Sequence, residues 1–267
     1  MLSRSRSPRA RGAALVTGAA KRIGREIALA LARDGWDVAV HYASSRGEAL
    51  MTVQEIESLG RRACAVNRDL AIESGVRSLL AEAAAELGPI TCVVNSASIF
   101  ERDAVASFCT EALLRHMRVN AAAPVLLAQA LHAALPAHAQ AVVINLLDQK
   151  LWNPNPDFLS YTLSKAALRE ATTVLAQALA PRVRVVGVAP GITLPSEAQT
   201  EAGFARAHAA MPLGRGGTAL EVAEAVVYLA SAAAITGTTL LVDGGQHLAA
   251  SPRDVMFTAE PELDQKR

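Results

Sequence analysis

Val16-Thr17-Gly18-Ala19-Ala20-Lys21-Arg22-Ile23-Gly24 is the stretch on which the fold turns. A short apolar run with β-branched residues leads without a break into a glycine-bearing turn, and the turn leads into a segment of helical period. Gly18 permits the tight turn and Gly24 lets the helix pack close to the sheet. The free N–H groups at the helix start form an anion site suited to a pyrophosphate. A strand, such a turn and a helix in this order open a βαβ unit of the nucleotide-binding kind.

The same alternation continues outward from this unit. Runs at 14–17, 37–42, 63–67, 91–95, 141–146, 184–188 and 240–242 read as strands, and segments at 22–34, 48–59, 74–87, 110–135, 158–179 and 219–231 read as helices. This order predicts an α/β chain with a single-domain Rossmann fold, a doubly wound seven-stranded parallel sheet with helices on both faces. Thr218-Ala219-Leu220-Glu221 has capping-box spacing at the start of the last helix. The body of the domain spans 13–250. A basic tail at 1–12, with Arg4, Arg6, Arg9 and Arg11 and no acid, is expected to be disordered, and 251–267 forms a second tail. Residues 192–217 have weak periodicity and follow a strand's carboxyl end, which makes them the expected substrate lid.

Composition removes several classes of function. Of 267 residues 51% are hydrophobic and 19% charged, so a large core is available. Lys+Arg of 26 against Asp+Glu of 25 leaves +1, too balanced for nucleic-acid binding by bulk charge. Cys64, Cys92 and Cys109 lack CxxC spacing and the six histidines lack ligand spacing, so neither a disulfide framework nor a metal site is expected. No apolar run of about 18 residues is uninterrupted, so no membrane span is expected and the cytoplasm is the expected location.

Two further constellations carry chemistry. The second strand ends His41-Tyr42-Ala43-Ser44-Ser45-Arg46, without the acid that would bind a free ribose 2'-hydroxyl. Ser44, Ser45 and Arg46, with Arg22 nearby, offer hydroxyls and guanidinium groups to a 2'-phosphate, which predicts NADP(H) rather than NAD(H). Tyr161-Thr162-Leu163-Ser164-Lys165 then sets a phenol and an ammonium on one helical face, with Asp148 thirteen residues earlier. The lysine is expected to lower the phenol pKa toward a value useful for proton transfer. Lysine occurs only at 21, 150, 165 and 266, so the pairing is not a product of abundance.

Together these residues resemble the short-chain dehydrogenase/reductase family over about residues 13–248. The glycine turn, Asp69-Leu70, Asn95-Ser96-Ala97, Asn120, Tyr161 with Lys165, and Pro190-Gly191 occur in the family's order. The resemblance implies that Gly18, Arg22, Ile23, Gly24, His41 and Tyr42 belong to the cofactor site, that Asp69 contacts the adenine beside Leu70, and that Asn95, Ser96 and Ala97 line the cofactor path. It implies further that Pro190, Gly191 and Ile192 meet the nicotinamide amide, that Lys165 binds the ribose, and that Asn120 holds a water-linked proton relay to Lys165. Helices 110–135 and 158–179 would be the dimer faces of a homotetramer.

Two departures from the family pattern are similar to its pteridine reductase branch, which includes dihydromonapterin and alternative dihydrofolate reductases. Arg22 stands where a glycine is usual, and Asp148 stands where a catalytic serine is usual. Asn95-Ser96-Ala97-Ser98-Ile99-Phe100 is similar too; by position Phe100 would stack on a pterin and Ser98 would bind ring or cofactor polar atoms. An ionised Asp148 offers only acceptors and would repel a developing alkoxide, whereas a reduced pterin presents N–H donors. A protonated Asp148 would weaken that distinction, since it could donate as a serine does. The leading expectation is an NADPH-dependent reductase of a dihydropterin or dihydrofolate, with Tyr161 as proton donor, Lys165 as its tuner and Asp148 as partner in proton delivery. A carbonyl reductase acting on a 3-oxoacyl or other ketone, and a non-catalytic NADP(H)-sensing regulator, are the alternatives. Trp152 and Phe158 frame the Asn153-Pro154-Asn155-Pro156 loop and either close the substrate pocket or pack the loop to the core.

Overall fold

The computed structural model describes residues 11–196 and 199–262. Its strands are β1 (Gly12–Thr17), β2 (Trp36–Tyr42), β3 (Ala63–Asn67), β4 (Ile90–Asn95), β5 (Ala141–Leu146), β6 (Val183–Pro190) and β7 (Thr239–Val242). They lie in the order β3-β2-β1-β4-β5-β6-β7, and every neighbouring pair is parallel. The helices are α1 (Arg22–Arg33), α2 (Arg46–Ser58), α3 (Glu73–Leu87), α4 (Thr110–Met117), α5 (Ala123–Ala134), α6 (Leu159–Leu179), α7 (Glu201–Ala209), α8 (Ala219–Ser231) and α9 (Val255–Ala259). This is the doubly wound sheet that the alternation of patterns predicted.

The inner strands are apolar on both faces because both faces are covered. β5 is buried along its whole length. On one side Leu31, Val40, Ile144 and Leu229 belong to a core shared with α1 and α8; on the other Leu15, Leu79, Leu127 and Val143 join α3 and α5. Each of these leucines and isoleucines contributes about 1.5–3 kcal/mol by leaving water. The chain winds outward from β1 in one direction and from β4 in the other. The two strands are neighbours, with Thr17 opposite Asn95, so a crevice opens at their carboxyl ends.

Several elements differ from their sequence expectation for identifiable reasons. The segment 110–135 is not one α-helix: a π-turn at Arg118–Ala122 separates α4 from α5, with the Ala123 N–H donating to the Arg118 carbonyl. Pro124 has no N–H to close an α-turn on the Asn120 carbonyl, so the chain widens there. Phe158, expected inside the helix 158–179, is instead its cap in a left-handed conformation, φ 55° and ψ 54°. The lid region 192–217 contains a helix, α7, capped where the Thr200 hydroxyl accepts from the Gly203 N–H at 3.0 Å. Thr218 and Glu221 form the expected capping box on α8. Arg11 is tied to the body through Asp34 and Ser231, whereas Arg4, Arg6 and Arg9, the lid positions 197–198 and the end of the second tail at 263–267 lie outside the described residues. Among the described residues no helix is long and apolar enough to cross a membrane.

Candidate active site

A cavity of about 530 Å³ occupies the crevice, lined by the turn after β1, the end of β2, Asp69 and Leu70 after β3, and Ser96 to Ile99 after β4. The turn is built for close approach. A Cβ on Gly24 would lie 2.2 Å from the Gly18 carbonyl oxygen, and one on Gly18 would lie 2.9 Å from the Ala97 Cα. Lys21 caps α1 with no side-chain bond to its N–H groups and the first turn holds no acid, so the helix start offers N–H donors to an anion. These residues fit a dinucleotide pyrophosphate.

His41 does not point a free ring into the cavity. Its Nδ1 accepts from the Gly18 N–H at 3.1 Å, which leaves the proton on Nε2 to donate to the Arg68 carbonyl at 2.9 Å. Burial pushes its pKa down, against the hydrogen bond to Arg68, so the ring is a neutral strut beneath the glycine turn. Arg22 also departs from expectation. It holds φ 57° at the usual glycine position, and its guanidinium donates to the Pro195 carbonyl at 3.0 Å rather than turning toward a ribose phosphate. It therefore ties the turn to the lid segment across the crevice. Ser44 and Ser45 line the cavity, as does Tyr42, while Arg46 is exposed at its edge and outside the lining.

Asn95 was expected along the cofactor path, but it is buried inside the sheet. Its amide donates to Asn145 Oδ1 at 2.8 Å, and Asn145 donates in turn to the Thr172 hydroxyl at 2.9 Å, a ladder that joins β4, β5 and α6. The Thr17 hydroxyl accepts from the N–H groups of Ser96 (3.0 Å) and Ala97 (3.1 Å), which sets the loop beside the crevice. Asn120 is likewise a brace. Its Oδ1 accepts from the Ile99 N–H (2.8 Å) and the Ser98 hydroxyl (3.2 Å), and its Nδ2 donates to the Ile99 carbonyl (2.9 Å) and the Ser164 hydroxyl (3.0 Å). All four side-chain positions of this amide are occupied within the fold. The Ile192 N–H, expected to meet a nicotinamide amide, donates to Gln246 at 2.8 Å, and Pro190 to Ile192 lie outside the cavity lining.

Outside the residues that line this cavity, the Tyr161 hydroxyl donates to Asp148 Oδ2 at 2.7 Å, and Asp148 Oδ1 accepts from the Lys150 N–H at 2.8 Å. Lys165 Nζ donates to the Leu146 carbonyl at 2.7 Å and lies 5.8 Å from the Tyr161 ring centre. Burial lowers its pKa to about 8, partly opposed by Asp148. The expected lowering of the phenol pKa does not occur. Burial first, then the charge of Asp148 and the bond to it, push Tyr161 well above the usual value. The phenol is a firmly protonated donor committed to a carboxylate.

Phe100 has its ring against Phe158 (4.1 Å between centres, 21° between planes) and edge-on to Tyr161 (4.7 Å, 85°), and is 47% exposed. Behind Phe158 stands Phe257 at 6.0 Å, from a segment that sequence reasoning left as a tail. Met256 and Phe257 are buried with Phe158 and Tyr161. Their signal in the sequence is only an apolar pair after Asp254, which caps α9 by accepting from the Met256 N–H at 3.1 Å. Lys150, also unremarked, is buried beside Phe158. Trp152 lies apart, under the Arg169 guanidinium.

The sequence profile of the enoyl-(acyl carrier protein) reductase family matches residues 18–247. A solved structure of FolM alternative dihydrofolate reductase 1 from Brucella canis, complexed with NADP, is 43% identical and superposes with a TM-score of 0.87 over 92% of this chain and 97% of that one. An uncharacterised oxidoreductase of Methylorubrum extorquens is 35% identical over 87% of this chain and 96% of its own length. A 3-oxoacyl-[acyl-carrier-protein] reductase of Staphylococcus epidermidis is 30% identical over 88% of this chain and 98% of its own. With the ordered glycine turn, the tyrosine and lysine on one helix and the doubly wound sheet, the match over most of the chain makes this protein a member of the short-chain dehydrogenase/reductase family.

Proposed function

We propose that the chain reduces a dihydropterin or dihydrofolate to its tetrahydro form with NADPH. The observation that carries this reading is the 2.7 Å hydrogen bond from Tyr161 to Asp148. A ketone becoming an alkoxide at this point would meet a carboxylate that repels its developing charge. A ring that presents N–H and amino donors is matched by the carboxylate, and the half-exposed Phe100 ring offers a flat surface to it. The 43% identity to the Brucella canis reductase supports the same reading.

The Gly18 turn would hold the pyrophosphate of NADPH and Ser44, Ser45 and Arg46 its 2'-phosphate, and the bound cofactor would supply the hydride. Tyr161 gives its hydroxyl proton to the ring nitrogen as the adjacent carbon is reduced. Asp148, partly exposed, passes a proton taken up from bulk solvent to the phenol oxygen as the phenol gives up its own, so phenolate and carboxylate are not charged together. Lys165 opposes the phenolate through its charge and holds the ribose. The exposed Leu114, Leu163 and Val174 on α4 and α6 support a homotetramer, and the cytoplasm is the compartment this reading carries.

The test is NADPH oxidation with dihydrobiopterin, dihydromonapterin, dihydrofolate and an acetoacetyl thioester, using the wild type, Tyr161→Phe and Asp148→Ser. Pterin or folate turnover that falls at least a hundredfold in both variants is expected. Turnover confined to the thioester would establish the carbonyl reductase, for which the Staphylococcus relative is the precedent. Tight NADPH binding with no turnover of any substrate would establish a sensor.

A further inference from the structure

Lys150 is the buried charge that the proton chemistry leaves unused. Only 3% exposed, it donates from Nζ to the Asp157 carbonyl, faces Asp254 Oδ2 at 3.9 Å and lies 5.4 Å from the centre of the Phe158 ring. Its own N–H holds Asp148 Oδ1, so one residue touches both the catalytic carboxylate and the C-terminal segment. That segment is fastened on both sides. Asp157 accepts from Arg253 Nε at 3.0 Å and from the Asp254 N–H at 2.7 Å. Glu260 accepts from the Thr200 N–H at 3.2 Å, and Arg206 of α7 donates to the Ala259 carbonyl at 2.9 Å. Between these ties Phe257 backs Phe158, which backs Phe100.

We infer that Lys150 is a positioning residue: it pins residues 253–257 of the same chain behind the aromatic wall, and that segment is a required part of the substrate site. Its ammonium faces the Asp254 carboxylate and feels the charges of Asp148, Asp157 and Asp103, and Arg253 is already engaged with Asp157. Without Lys150, the half-buried Asp254 carboxylate loses its ammonium partner among other acids and the segment loses the tie closest to the aromatic wall. The aromatic wall then loses its backing, while the cofactor end, which shares no side chain with the segment, is untouched. The assignment of a role in turnover rests on the reductase reading above; the pinning does not.

Trypsin cleavage after Arg253, followed by mass spectrometry, reads the pinning without any substrate. In Lys150→Met, cleavage there is expected to accelerate at least tenfold, with NADPH affinity within twofold of wild type. For whichever substrate the wild type reduces, KM should rise about tenfold with a smaller change in kcat, and Lys150→Arg should recover most of the loss. Asp254→Asn, which keeps the cap but not the charge, should show the same cleavage and KM changes and serves if Lys150→Met does not fold. Unchanged protection of Arg253 in both variants overturns the pinning. Faster cleavage with unchanged KM and kcat overturns the segment's place in the site. Absence of pterin turnover in the wild type overturns the substrate reading alone, since the cleavage arm still reports on Lys150.

Discussion

Replacing Lys165 by methionine separates the cost of burying its charge from its use. The folded site lowers its pKa from the ordinary 10.5 to about 8, chiefly by burial. Between those values the unfolded chain holds the proton and the folded chain does not, so the group makes stability rise with pH across that interval. Below pH 8 both states are protonated and the full penalty stands, about 3 kcal/mol at ~1.36 kcal/mol per pKa unit. Methionine fills the channel without a charge. It also strands the Leu146 carbonyl, a loss of about 1–3 kcal/mol that does not vary with pH. Urea unfolding of wild type and Lys165→Met from pH 7 to pH 10 is the assay, and the difference between the two removes every other titrating group. Wild type should gain on the variant by most of that 3 kcal/mol. Parallel curves over the range would refute the burial argument, and a gain in the opposite direction would mean that the ammonium is better paired than its surroundings indicate.

Other expectations follow from single contacts. Gly24→Ala drives a Cβ to 2.2 Å from the Gly18 carbonyl oxygen, so it should cost roughly 1–3 kcal/mol in urea unfolding and weaken NADPH binding at least tenfold by fluorescence titration; wild-type behaviour would mean that the turn yields. Arg22→Gly and Arg22→Ala both lose the tie to Pro195, but alanine keeps a side chain at φ 57°, so the glycine variant should be the more stable by about 1 kcal/mol. Equal unfolding midpoints would remove the claim of strain. Arg46→Ala should raise KM for NADPH about tenfold and leave KM for NADH unchanged, the reverse pattern excluding a role at the 2'-phosphate.

The architecture was readable because it rests on periodicity. Inner strands such as β5 are mostly apolar, helices repeat at 3.6 residues, and the order of strands and helices allows few topologies. Side-chain direction was less readable. Asn95 and Asn120 stand at expected positions in the chain, yet Asn95 braces the sheet and Asn120 braces a loop, because a buried amide must satisfy its donors and acceptors locally. The pull on Tyr161 was misjudged for a related reason. Spacing places Lys165 one helical turn away but gives no weight to burial, and burial leads every influence on the phenol. The Phe257 backing was invisible because a five-residue helix has too few turns to declare a period.

The two ends of the crevice differ in how far apart their parts lie along the chain. The glycine turn, His41 and Arg68 belong to the first quarter, whereas Asp157 reaches Arg253 across 96 residues. During synthesis the dinucleotide end has its parts early, while the aromatic wall waits until residues 253–257 have been made. A ribosome-bound chain of about 200 residues would therefore expose Phe158 and a half-built substrate site. In that interval the chain is most open to aggregation and to capture by chaperones.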